Sequence, residues 1–145
     1  MDLPHTKRQR HEEESREIEA LARVAVDCGF KLHRSLGPGL LESVYEVCLT
    51  KSLAERGFFV ERQKPVPIRY EGVVLDEGFR IDLLVAGRLV IELKSCEALA
   101  PVHGKQLLTY LRLMELPLGL LMNFGAASFK EGVRRVANNY YPSNA

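Results

Sequence analysis

Two short segments carry most of the residues able to do chemistry. Phe79 to Val85 contains Arg80 and Asp82, and Leu89 to Lys94 contains Glu92 and Lys94. In the first, Phe79, Ile81, Leu83 and Val85 alternate with Arg80, Asp82 and Leu84. In the second, Leu89, Ile91 and Leu93 alternate with Val90, Glu92 and Lys94. A period of two marks a strand with one buried face, and a slip of one residue would turn that face over. Burying both apolar rows on one side pairs Ile81 with Leu93, Leu83 with Ile91 and Val85 with Leu89. Asp82 then lies opposite Glu92, with Lys94 two residues further along the same face. A plain two-residue Ala86-Gly87 loop would put the carboxylates on opposite faces, so a three-residue connection or a bulge using Gly87 is expected.

Carboxylates facing each other across a sheet repel unless positive charge lies near both. Either Lys94 or a divalent cation would supply it. Hard oxygen donors suit Mg²⁺ or Mn²⁺, which keep several waters and accept phosphate oxygens. Lys94 would then orient or deprotonate a water, or stabilise charge developing on phosphate. The plain alternative is a solvated ladder of Arg80, Asp82, Glu92 and Lys94 on an outer sheet face, the commoner arrangement for such residues in isolation. Two helical segments add polar groups. One offers Glu42 with Tyr45 and Glu46 a turn later; the other offers Gln106 and Tyr110, four apart on one face, with His103 a turn before. Read without the strands, Glu42 is a first-turn acid favourable to the helix dipole, Tyr45 an edge-of-core residue, and Gln106 with Tyr110 the polar edge of a core helix. No Ser/His/Asp order or phosphate-cradling glycine loop stands out, and the four histidines have no metal-ligand spacing.

The elements that must position these groups follow from the same periodicities. From Ile18, apolar residues at Leu21, Ala25, Cys28, Leu32 and Leu36 recur every three or four, as in an amphipathic helix. Gly37-Pro38-Gly39 stops it. A second helix restarts near Leu40, with apolar Leu41, Val44, Tyr45, Cys48, Leu49 and Leu53, and Gly57 as its stop. Short Val-, Ile-, Phe- and Tyr-rich segments then read as three or four antiparallel strands in meander order, with turns at Glu71-Gly72 and Glu77-Gly78. Pro65 and Pro67, two apart, put their missing N–H groups on one side and place their strand at a sheet edge. A helix from Pro101 to about Met114 and a buried strand from Pro117 to Phe124 follow; residues 129–141 read as a short helix or a terminal strand.

The 145 residues, 46% apolar and 27% charged, suit one domain over residues 16–145 behind a charged flexible tail over 1–15. That tail segment also reads as a frayed extension of the first helix. A net charge of +1 excludes the signature of a constitutive DNA coater, though not a local basic patch. Three cysteines without CxxC spacing argue against a disulfide framework or zinc knuckle and are expected in the core. No segment reaches membrane-spanning length, and the opening residues lack an apolar leader, so a cytoplasmic protein is expected.

Gly39-Leu40-Leu41-Glu42-Ser43-Val44-Tyr45 spells GxxExxY. With LGPGLLESVYEVCL, RIDLLVAGRLVIELKS and QLLTYL, the chain from about Ile18 to Tyr140 resembles the GxxExxY family of the PD-(D/E)xK nuclease superfamily. The resemblance implies an α/β (α+β mixed), restriction-endonuclease-like αβββαβ core, with a central mixed sheet flanked by helices. It implies that Glu42, Asp82 and Glu92 hold Mg²⁺ or Mn²⁺. Together with Lys94 and Gln106 they would form the catalytic set, while Tyr45, Arg80 and Tyr110 position substrate. Ile81 stands at the nominal proline of the motif. The implied activity is hydrolysis of nucleic acid phosphodiesters by a metal-activated water, on DNA more than RNA. The charge balance from Ile18 onward leaves Arg34, Arg62, Lys64, Arg69, Arg80, Lys105 and Arg112 to contact phosphates as a basic rim, and a homodimer or a protein partner would help select the site. The alternatives are a catalytically silent nuclease-fold module that binds nucleic acid or protein, and a regulatory or structural metal site.

Overall fold

The computed structural model describes residues 6–140. Helix α1 spans Lys7–Leu36. It starts well before Ile18 because Thr6 and Gln9 form a capping box: the Thr6 hydroxyl accepts from the Gln9 N–H, and the Gln9 side chain accepts from the Thr6 N–H. Residues 7–15 are therefore helix and not a flexible tail, while residues 1–5 lie outside the described residues. These early turns are tied to the sheet, since Arg88 donates to Glu17 at 2.6 Å and to the Glu14 carbonyl. Gly37 and Gly39, both at positive φ, end α1, and α2 spans Glu42–Glu55.

The sheet has five strands in the order β1-β2-β3-β4-β5: β1 (Val60–Tyr70), β2 (Val73–Val85), β3 (Leu89–Lys94), β4 (Leu118–Asn123) and β5 (Val133–Ala137). Adjacent strands are antiparallel except β3 and β4, which run parallel. Helix α3, Pro101–Met114, is the crossover that a parallel pair requires. Residues after Phe124 form both a short helix, α4 (Phe129–Gly132), and a terminal strand, β5. The result is a mixed α/β fold of the restriction-endonuclease-like type, a five-stranded mixed sheet flanked by helices.

Edge strand β1 carries Pro65 and Pro67 as their spacing requires. Glu71 and Gly72, both at positive φ, make the two-residue turn joining Tyr70 to Val73. Glu77-Gly78, in contrast, is not a turn. Strand β2 continues through it, and the pairing steps from Val66–Phe79 to Ile68–Leu75, a bulge that absorbs the extra residues. A Cβ on Gly78 would lie 2.3 Å from the Ile68 side chain, so the glycine serves close packing. The meander therefore has three strands.

Two apolar clusters fill the two faces. One joins α1, α2 and α4 to Leu83, Val85, Leu89, Ile91 and Leu93; the other joins α3 to Val66, Ile81, Leu84, Val90 and Leu121. Of the cysteines only Cys28 is buried; Cys48 and Cys96 are half-buried and all three are free. No described helix is long and apolar enough to cross a membrane.

Candidate active site

The β2–β3 ladder pairs Val85 with Leu89, Leu84 with Val90 and Leu83 with Ile91, as the buried rows demand. Ala86 and Gly87 both take positive φ, and the Arg88 N–H bonds the Val85 carbonyl, so Arg88 is the third residue of the connection. The expected Ile81–Leu93 pair does not form. Ile81 packs in the α3 cluster while Leu93 stays in the α1–α2 cluster. Two carboxylates take over where the ladder ends. The Asp82 N–H donates to Glu92 Oε1 at 3.1 Å, and the Leu93 N–H donates to Asp82 Oδ2 at 2.8 Å. Each acid thus satisfies the backbone of the opposite strand, which keeps the pair together as the strands diverge.

Glu92 is 7% exposed. Burial, followed by the neighbouring Asp82 charge, raises its pKa from the ordinary 4.5 to about 8, and Lys94 two residues on pulls the other way. Facing the pair is α3. Tyr110 stacks on Phe79 with ring centroids 4.1 Å apart. Burial and then the charges of Glu92 and Asp82 raise its phenol pKa, while a hydrogen bond with Gln106 lowers it. Gln106 and Tyr110 therefore share this side of the site.

The strand end carrying Lys94 is held from β4. The Phe124 N–H donates to the Lys94 carbonyl at 2.8 Å. Buried Asn123 accepts from the N–H groups of Cys96 and Gly125 and donates to the Cys96 carbonyl. Asn123 carried no motif; a polar residue closing an apolar strand, level with Lys94 across β3 and β4, was the available signal.

Three expected residues stand elsewhere. Glu42 is exposed at the start of α2, in an open pocket with Ser43, Ser95, Cys96 and Glu97. Among the described residues no three His, Cys, Asp or Glu side chains gather to hold a cation, so Glu42 does not complete a triad with Asp82 and Glu92. Tyr45 is fully buried and stacked on Phe124 at 4.4 Å. Its hydroxyl donates to the Gly37 carbonyl at 2.6 Å and accepts from the Leu40 N–H at 3.2 Å, so it locks the α1–α2 turn and is not open to substrate. Arg80 is exposed and paired with Glu77. Arg62 and Lys64 are likewise paired, with Glu46 and Glu61, so acids are interspersed along the expected basic rim.

The acid of α2 that does reach toward the pair is Glu46, buried one turn after Glu42. It accepts from Arg62 and from Gln63, and the Gln63 amide also donates to Asp82 Oδ1 at 3.2 Å. Glu46 lay on the helical face already singled out; Gln63 carried no motif signal, only its place beside Lys64 on the strand next to Asp82.

Two carboxylates and a lysine, gathered where β2 and β3 of a mixed sheet diverge and faced by a helix from beyond β3, define an α/β protein built around a polar, carboxylate-centred site. Residues 19–136 match the PD-(D/E)XK nuclease superfamily, and the chain belongs to it. Comparison with curated proteins and with solved structures gave no match.

Proposed function

We propose that this is a GxxExxY-type member of the superfamily, with α1 to β5 acting as one cytoplasmic domain that hydrolyses nucleic acid phosphodiesters, DNA in preference to RNA. The observation that carries the reading is the reciprocal Asp82–Glu92 arrangement beside Lys94. Holding a buried carboxylate against a second one costs stability once both ionise, and a cation offsets that cost. The donor set therefore fits a hard divalent ion. Asp82 and Glu92 would hold Mg²⁺ or Mn²⁺, which when bound supplies a Lewis acid for the water and the phosphate. Lys94 Nζ is the group of this chain that would orient the attacking water or stabilise charge on the phosphate. Gln106 and Tyr110 would line the strand-binding side, and exposed Arg80 would meet backbone phosphate beyond it.

The test is a cleavage panel of single-stranded, duplex and branched DNA and RNA with Mn²⁺, comparing wild type with Glu92→Ala. Cutting that the substitution abolishes supports the reading. Binding without cutting, unchanged in an Asp82→Asn/Glu92→Gln variant, would instead identify a silent binding module. A strong rise in melting temperature with metal, and no cleavage, would identify a structural metal site.

A further inference from the structure

On β1, Arg62 pairs with Leu83 and Lys64 with Ile81, which sets Gln63 level with Asp82. Gln63 has a φ of 49°, in the left-handed region, in mid-strand. A side chain with a Cβ takes that conformation at a cost, and such outliers persist where the surroundings require them. Here the surroundings are two carboxylates. Both hydrogens of the Gln63 amide have an acceptor, Glu46 Oε1 at 2.5 Å and Asp82 Oδ1 at 3.2 Å. Glu46 is 6% exposed, and its other oxygen is held by Arg62 Nη2 at 3.0 Å. Asp82 Oδ2 already accepts from the Leu93 N–H. Both oxygens of Asp82 are thus fixed, one by β3 and one by β1.

We propose that Gln63, anchored by Glu46, is a positioning residue: it sets the orientation of the Asp82 carboxylate in advance of any ligand and couples helix α2 to the site. The inference rests on the reading of Asp82 as a cation ligand in the preceding section. Gln63 contributes no atom to the reaction. Its contribution is the rotamer freedom that Asp82 has already lost. Outer hydrogen-bond partners of this kind are worth about tenfold to a hundredfold in metal affinity or activity.

The test uses the full chain, with Mn²⁺ affinity measured by calorimetry alongside cleavage kinetics, for Gln63→Gly and Gln63→Met. Glycine removes the amide and relieves the backbone; methionine removes the amide, keeps the length and retains the backbone cost. Their melting temperatures should therefore separate, with Gln63→Gly the higher. Both should nevertheless weaken Mn²⁺ binding by about tenfold and lower kcat more than they change KM. If Mn²⁺ affinity and kcat stay within about twofold of wild type, or follow melting temperature in place of amide loss, the positioning role is overturned while the nuclease reading stands. If wild type neither binds Mn²⁺ nor cuts, the nuclease reading falls and this inference with it.

Discussion

Replacing Glu92 with glutamine should make the protein more stable at neutral and alkaline pH. The folded chain holds the Glu92 proton up to about pH 8, whereas in the unfolded chain it leaves near the ordinary 4.5. Between these values the unfolded state binds fewer protons, so stability falls as pH rises, by about 1.4 kcal/mol per pH unit. Below the window Glu92 is neutral in both states and contributes no slope; above it the loss is complete. By pH 8 the accumulated loss is about 4 kcal/mol, a large part of the total stability of a domain this size. Glutamine keeps an oxygen to accept from the Asp82 N–H and never ionises. Urea unfolding of wild type and Glu92→Gln from about pH 5 to pH 8 reads the effect, because titrations not coupled to Glu92 are common to both chains and the Tyr110 phenol ionises above this range. The two stabilities should differ little at the acid end and diverge by about 4 kcal/mol at the alkaline end, with the variant higher. Added Mn²⁺ should restore much of the wild-type loss and little in the variant. Parallel curves would show that Glu92 ionises freely in the fold, and the argument from a buried, like-charged pair would be wrong.

Other consequences can be measured on single substitutions. Tyr45→Phe loses the hydroxyl bonds to Gly37 and Leu40 and should cost about 1–2 kcal/mol in urea unfolding while leaving the kcat of the proposed cleavage near wild type; a selective loss of kcat would restore Tyr45 to the substrate site. Gly125→Ala would bring a Cβ to 2.3 Å from the Cys96 carbonyl, so a loss of about 2 kcal/mol or more is expected, with cleavage impaired through the displaced segment after Lys94. In a spectrophotometric titration of the tyrosines, the component lost in Tyr110→Phe should titrate above the ordinary phenol value, and that component should move down in Glu92→Gln. Arg80→Ala breaks only a solvent-exposed pair with Glu77, so stability should change by less than about 1 kcal/mol while nucleic acid affinity falls and its salt dependence weakens.

Much of this arrangement was legible in the residues because each signal was local. Period-two burial set the three β2–β3 pairs from Leu83 to Val85, the prolines of β1 required an edge, and Gly37-Pro38-Gly39 could only end a helix. What was hidden depends on contacts between segments distant in the chain. The apolar row of β2 was extrapolated through Ile81, but the face changes at Asp82, where side chains of opposite strands replace ladder bonds and Gln63 twists the neighbouring strand. Gly78 was read as a turn because a bulge and a turn use the same residue, and only Ile68 across the ladder distinguishes them. Tyr45 sits in a motif beside an acid, which suggested a functional pair; its ring is used by Phe124 and its hydroxyl by the turn. Between the tail and the helix extension read for residues 7–15 the choice was hidden for a similar reason, since a polar segment can be helical when its first turn is capped and its Glu14 carbonyl accepts from Arg88 of the β2–β3 connection.

The most direct test of the central claim is the rate at which Mn²⁺-loaded protein cleaves its best nucleic acid substrate, measured side by side for wild type and Lys94→Ala under conditions where both are folded. If Asp82, Glu92 and Lys94 act as one hydrolytic site, cleavage should fall by at least about a hundredfold while Mn²⁺ binding at Asp82 and Glu92 persists. Equal rates in the two proteins, or no metal-dependent cleavage by wild type on any substrate, would contradict it.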